Sequence, residues 1–270
     1  MLTNLQAFRF IFALFVFASH LNYIIPTDSI FWNRMYRYLF REGFIGVTFF
    51  FMLSGYILAY RYAGAIKNSS FSFKTFLNRR IARLLPIYYV SLLLTLPLTF
   101  NEFMNGDRVF YVKKLFVNLL LLQSYIPIGD YYFSFNGVSW SISTELFFYL
   151  SFPFLLLFLM KNTKLIKILL ALVLGIIVLC ILFLFIENAY YWLYISPFTR
   201  VIDFSVGIIS YLLTSKYKAF SFISNDSKRE YLAIIIAIIF LIASPHVHQN
   251  FKFSVFCGNV KNRILLIILH

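Results

Sequence analysis

The chain has 270 residues, of which 61% are hydrophobic and 21% are aromatic, whereas only 13% are charged. A soluble domain could not bury so much apolar surface, so the composition excludes one and predicts a membrane protein with several spans. The formal net charge of +14 at pH 7 does not indicate nucleic-acid binding, because no polar stretch is long enough for a soluble basic module. Basic residues in the loops of a membrane protein instead set its topology and contact anionic lipid.

Apolar segments follow one another along the whole chain, and they predict an all-α fold, a polytopic transmembrane bundle of about eight to ten apolar helices. The segments are Leu5–Ile25, Phe44–Tyr60, Leu84–Phe100, Leu115–Pro127, Glu145–Met160, Leu165–Ile186, Ile195–Leu213, Tyr231–Ser244 and Ile264–His270. No internal repeat or polar domain separates them, so we expect a single membrane-embedded domain over residues 1–270. The last segment has only seven residues, from which we expect an incomplete C-terminal end.

The first segment carries two ionisable residues, Arg9 and His20. A helix turns about 100° per residue, so both side chains, eleven residues apart, project from the same face. Ionisable groups inside a span are costly and tend to mark function. We therefore expect a buried, reactive histidine with a cation nearer the membrane surface. The structural alternative is a core histidine that is hydrogen-bonded between helices.

The second segment contains two aromatic residues followed by a small pair: Phe50, Phe51, Ser54 and Gly55. Small residues let helix backbones approach closely, so helix packing alone explains this motif. The next connection, residues 61–83, has six basic residues and no acidic one, and we expect Arg80 and Arg83 at its end to share a helical face. Arginine forks suit phosphate oxygens, so these two are candidate phosphate ligands. A topology role with lipid contact is the alternative.

The segment Leu115–Pro127 has thirteen residues, too few to cross about 30 Å of hydrocarbon as a helix, and we expect it to be re-entrant. If it does not cross and the N-terminus is cytoplasmic, the cytoplasmic connections 61–83, 161–167 and 214–230 contain thirteen lysines and arginines against nine outside. The positive-inside rule favours this topology. It brings His20 and Glu145 to a similar depth near the outer side of the membrane.

The stretch Trp140–Glu145 follows an Asn-Gly turn and opens another span. We expect Ser141 or Ser143 to cap the helix. The helix dipole favours a carboxylate in this position, so Glu145 is either structural or orients a histidine.

A later span carries Arg200 and Asp203, three residues apart, and we expect these two side chains to neutralise each other. The two cysteines show neither zinc spacing nor a disulfide framework, so we expect no metal site.

Together these motifs resemble the acyltransferase type 3 family, the integral-membrane O-acyltransferases of bacterial glycans and related substrates. The positions that carry the resemblance are Arg9, His20, Phe50, Phe51, Ser54, Gly55, Arg80, Arg83, Trp140, Ser141, Ser143, Glu145, Arg200, Asp203 and Gly207. The late family span rich in Ser-Tyr-Leu-Trp-His has no counterpart after Ser244.

The resemblance implies an enzyme of the bacterial inner membrane, with a cytoplasmic N-terminus, that moves an acyl group from a cytosolic acyl-CoA to a hydroxyl. The acyl group would be acetyl, and the acceptor an extracytoplasmic or lipid-linked glycan. His20, Glu145 and Arg9 would be catalytic, and Arg80 and Arg83 would bind the acyl-CoA as donor substrate, with no permanently bound cofactor. Membrane lipids are the remaining expected partners. The alternatives are a transporter or proton-relay bundle, and an inactive truncated homologue.

Overall fold

The computed structural model describes residues 3–20, 45–161 and 188–216, and single positions among residues 29–31, 164–178 and 235. In this described part all regular structure is helical, as the composition predicts. The α-helices are α1 (Thr3–Ser19), α2 (Ile45–Lys67), α3 (Phe73–Thr95), α4 (Phe100–Asn105), α5 (Arg108–Leu119), α6 (Gly129–Tyr132), α7 (Trp140–Lys161) and α8 (Pro197–Lys216). Short 3₁₀ turns span Pro97–Thr99 and Gln123–Tyr125, and a π-helical turn spans Tyr191–Ile195.

Four described stretches are long and apolar enough to cross a membrane. They are Gly46–Lys67, Phe73–Asn105, Trp140–Lys161 and Tyr191–Ser215, and each contains or overlaps one of the predicted apolar segments. The first segment forms α1, a shorter apolar helix. The predicted segments Tyr231–Ser244 and Ile264–His270, and most of Leu165–Ile186, lie outside the described residues, so they stay predictions.

The basic connection between the second and third segments is much shorter than predicted. Helix α2 continues to Lys67 and α3 begins at Phe73, because the Ser72 hydroxyl oxygen caps α3 by accepting from the Thr75 N–H at 3.4 Å. Arg80 and Arg83 therefore lie inside α3. The prediction that they end a loop is wrong, whereas the prediction that they share a helical face agrees with the structure.

The predicted segment Leu115–Pro127 is broken in its middle. Helix α5 begins earlier than predicted, at Arg108, where the Asp107 carboxylate accepts from the N–H groups of the first turn. It ends at Leu119, and Leu121 then adopts a positive φ of 53°, the left-handed conformation that closes many helices. Twelve residues make a helix only about 18 Å long. The re-entrant course of this segment in the membrane stays a prediction.

Helix α5 has an inverted polarity: it buries polar side chains and exposes apolar ones. Its buried residues are Tyr111, Lys114 and Asn118, whereas Val109, Val112 and Phe116 are exposed. A helix of a soluble protein buries its apolar face. The opposite arrangement indicates that lipid covers the outer face of α5.

The described residues divide into two compact units. The first comprises the described residues up to Ile57, those of 164–178, and Asp203–Lys216, and the second comprises Leu58–Lys161 and Asn188–Ile202.

In the first unit α2 and α8 cross at two glycines. A Cβ atom at Gly55 would lie 2.0 Å from the Phe204 carbonyl oxygen, and one at Gly207 would lie 1.8 Å from the Met52 carbonyl oxygen. The close backbone approach expected from the Ser-Gly pair is thus present at Gly55.

In the second unit a cluster of rings connects the end of α2 with α3 and α7. Phe76 and Phe152 are almost fully buried, and their ring centroids lie 5.4 Å apart. The rings of Tyr62 and Phe76 meet edge to face, with centroids 5.1 Å apart. This cluster fixes the positions of α3 and α7, the two helices that carry candidate functional residues of this unit.

Candidate active site

Arg9 and His20 lie on one face of α1, as their spacing predicts. The exposed positions of this face include Arg9, Ala13, Phe17 and His20. The expectation of a buried histidine is wrong, because α1 ends at Ser19 and His20 occupies the exposed turn that follows. Arg9 is likewise exposed.

The ring of His20 folds back onto the end of α1. Its Nδ1 atom lies 2.7 Å from the Val16 carbonyl oxygen, one of the carbonyls that the end of a helix leaves without a backbone partner. A carbonyl can only accept, so Nδ1 carries the hydrogen in this contact, and the lone pair of the neutral ring is on Nε2. His20 therefore presents a basic, nucleophilic nitrogen away from the helix.

Arg80 is held among three aromatic rings. Its guanidinium carbon lies 5.6 Å from the centroid of Tyr62, 5.8 Å from that of Phe76 and 5.9 Å from that of Tyr149. Cation–π contacts of this length favour a fixed guanidinium. The Nε atom of Arg80 is buried and has no hydrogen-bond partner among the described residues. Arg83, by contrast, is exposed, so the two arginines have different surroundings.

Glu145 lies in the second turn of α7 and is half-buried. The Tyr149 hydroxyl donates a hydrogen bond to its Oε1 atom at 2.5 Å. Tyr149 thus contacts two predicted site residues, Arg80 with its ring and Glu145 with its hydroxyl. Tyr149 is not among the residues predicted from the sequence, although its spacing of four residues from Glu145 is the spacing that brings helical side chains together.

The two serines of Trp140–Glu145 do not cap α7, so that prediction is wrong. The helix begins at Trp140, which places both serines inside its first turn, where hydroxyls bond to backbone carbonyls instead. Ser141 donates to the Val138 carbonyl at 2.9 Å. Ser143 donates to the Leu121 carbonyl at 2.5 Å, which connects the start of α7 to the end of α5.

A buried polar network also anchors this end of α7. The Tyr88 hydroxyl donates to the Asn118 carbonyl at 2.6 Å, and the Gln123 amide donates to the Tyr88 hydroxyl and to the Ser139 carbonyl, each at 3.3 Å. Asn118 and Gln123 are fully buried. This network could have been predicted from the sequence, because Asn118, Gln123 and Ser124 interrupt an otherwise apolar segment.

Trp140, Arg200 and Asp203, which the sequence predicts to be structural, are all buried. Trp140 is buried against Tyr194, with ring centroids 5.0 Å apart. Arg200 and Asp203 have no exposed surface, and the Arg200 guanidinium carbon lies 5.2 Å from the Tyr194 centroid. Mutual neutralisation of Arg200 and Asp203 stays a prediction.

The predicted site residues are divided between the two units. The first unit contains Arg9, His20, Phe50, Phe51, Ser54, Gly55 and Asp203, and the second contains Arg80, Arg83, Trp140, Ser141, Ser143, Glu145 and Arg200. Phe51 is buried, while Phe50 and Ser54 are half-buried on α2. In the described part of the chain, no group of three or more His, Cys, Asp or Glu side chains could hold a metal ion.

The model of the Acyl_transf_3 family, described as an acyltransferase domain, matches residues 2–260. The chain belongs to this family. Family membership agrees with the resemblance that the motifs carry and with the apolar helices of the fold.

Several known proteins are similar to this chain, each over part of its own length. Acyltransferase MdmB of Streptomyces mycarofaciens is 33% identical over 159 residues, which are 56% of this chain and 38% of that protein. Peptidoglycan O-acetyltransferase OatA of Listeria monocytogenes is 32% identical over 152 residues, which are 50% of this chain and 23% of that protein. O-acetyltransferase OatA of Staphylococcus aureus is 28% identical over 131 residues, or 45% of this chain and 21% of that protein. The matches thus span less than two fifths of these relatives. No solved structure matches the chain.

Proposed function

We propose that the protein is a membrane O-acyltransferase that moves an acetyl group from cytosolic acetyl-CoA to a hydroxyl of an extracytoplasmic or lipid-linked glycan. The observation that carries this proposal is the match of the family model to residues 2–260. Two similar proteins are named O-acetyltransferases, one of them acting on peptidoglycan. We place the protein in the bacterial inner membrane with its N-terminus in the cytoplasm, as the positive-inside rule favours.

His20 is the general base or nucleophile in this proposal. Its Nε2 atom takes the proton of the acceptor hydroxyl, whose oxygen attacks the thioester carbonyl. A carbon–oxygen bond forms, the carbon–sulfur bond breaks, and the coenzyme A thiolate leaves and takes up the proton. In the two-step variant Nε2 itself accepts the acetyl group before the hydroxyl does. Arg9 polarises the thioester carbonyl, and Glu145 is the catalytic carboxylate.

The donor site is on α3. Coenzyme A carries several phosphates, and arginine binds phosphate oxygens through paired N–H groups. Arg83 is exposed and is the arginine that contacts phosphate directly. Arg80 is constrained by three rings, so it adds a fixed positive charge behind that contact.

Acetylation of surface glycans in cells with and without the protein tests this proposal. His20→Ala should abolish acetylation while the protein continues to accumulate in the membrane. Phe10→Ala is the matched control, because it truncates another exposed ring on α1 and leaves the imidazole of His20 in place. Wild-type acetylation by His20→Ala would refute the assignment, and transport of the glycan without any acetyl donor would favour the transporter alternative.

A further inference from the structure

Tyr149 makes the contacts that join the two charged groups of the second unit. Its ring lies against the Arg80 guanidinium, and its hydroxyl donates to Glu145 Oε1. We propose that Tyr149 is a positioning residue that holds the Glu145 carboxylate in one orientation and couples it to Arg80. This inference rests on the proposed function, in which Glu145 supports the reaction.

The packing around Tyr149 gives its hydroxyl a fixed position. Only 6% of the residue is exposed, and its ring meets that of Phe76 edge to face at 6.3 Å. Phe76 is itself 2% exposed and contacts Arg80 on the same helix. The Tyr149 ring therefore cannot swing aside, and the hydroxyl stays directed at the carboxylate one helical turn earlier.

The position of Arg80 strengthens this arrangement. A cation against the face of a phenol ring withdraws electron density from it, which makes the hydroxyl a better donor to a carboxylate. The buried Nε atom of Arg80, which lacks a hydrogen-bond partner among the described residues, is consistent with a guanidinium that the rings hold in place. The positive charge thus acts on Glu145 through Tyr149.

Tyr149→Phe tests the inference, because it removes the hydroxyl and keeps the ring that Arg80 contacts. We expect kcat for acetyl transfer to fall by about ten-fold per folded molecule, since the carboxylate loses its fixed orientation. The KM for acetyl-CoA should stay within about two-fold, because the ring contacts of Arg80 persist. Tyr88→Phe is the matched control: it also removes a buried, hydrogen-bonded hydroxyl, but one that contacts neither Arg80 nor Glu145 in the structure. It should lower thermal stability and leave kcat per folded molecule unchanged.

A double-mutant cycle separates positioning from a general structural effect. Glu145→Asp keeps a carboxylate but shortens its reach to the Tyr149 hydroxyl. If Tyr149 acts through Glu145, the double variant Glu145→Asp, Tyr149→Phe should be no slower than Glu145→Asp alone. An unchanged kcat in Tyr149→Phe, or losses that multiply in the double variant, would overturn the inference. Full activity of both His20→Ala and Glu145→Gln would instead overturn the proposed function.

Discussion

Replacing Gly207 by alanine should force α2 and α8 apart. The new Cβ atom would lie 1.8 Å from the Met52 carbonyl oxygen and 2.9 Å from the Tyr56 backbone nitrogen. Both are backbone atoms, so no side-chain rotation can relieve the contact. Carbon and oxygen atoms normally approach to about 3.3 Å, and the two helices would have to separate by roughly 1.5 Å to reach that distance.

The expected destabilisation follows from the packing at this crossing. Phe204 and Ile208 have no exposed surface, so separation of the helices would open gaps in a closely packed region. Overpacking of this kind lowers stability by about 1–3 kcal/mol. The higher helix propensity of alanine offsets about 0.5–1 kcal/mol of that loss. The difference is about 1 kcal/mol, so we expect Gly207→Ala to lower the free energy of unfolding by about 1 kcal/mol, and Gly55→Ala to have a similar effect.

Thermal or SDS-induced unfolding of the purified protein in detergent measures this effect. Gly64→Ala is the control within α2, because a Cβ atom at Gly64 would meet nothing within 4 Å. That substitution should raise stability by about 0.5–1 kcal/mol through helix propensity alone. Equal stabilities of Gly207→Ala and Gly64→Ala would refute the helix crossing described here.

Three further outcomes are expected. Arg83→Ala should raise the KM for acetyl-CoA by about ten-fold, since a charge-assisted phosphate contact is lost, and leave the KM for the acceptor unchanged; equal changes in both would leave Arg83 only a topology role. A single cysteine at Asn68 should be shielded in intact cells from an impermeant thiol reagent, and one at Ile128 should be labelled; the reverse pattern would contradict the predicted topology. Ser143→Ala should destabilise the protein by about 1–2 kcal/mol in unfolding experiments, because it leaves the buried Leu121 carbonyl without this donor, whereas Ser141→Ala should be nearly neutral.

Much of the architecture follows from composition and periodicity alone. Spans of about 20 apolar residues can form only helices in lipid, so four candidate spans could be located from sequence. The shared face of Arg9 and His20 follows from the helical repeat alone. The close crossing at Gly55 was predictable because glycine is the residue that permits backbone contact between helices.

Other features depend on contacts that no local pattern contains. The burial of His20 was wrongly predicted, because hydropathy continues past Ser19 whereas the helix does not. The surroundings of Arg80 arise from rings on α2, α3 and α7, which only the tertiary fold brings together. The serines of α7 were wrongly predicted to be caps, because the helix begins at Trp140, a few residues before its predicted start. Sequence patterns rarely locate a helix end to within a few residues.

The inverted polarity of α5 constrains the order in which the protein can assemble. Lys114 forms an ion pair with Glu102, and the Asn118 side chain donates to Ser134 at 2.7 Å, a residue that is synthesised later. A lone α5 in lipid would expose both side chains to hydrocarbon, and a lysine there costs about 2.5–3.5 kcal/mol on insertion scales. We therefore expect α5 to remain at the membrane surface until the ribosome has synthesised the chain as far as Ser134. Only then can α5 insert and form its contacts with Glu102 and Ser134.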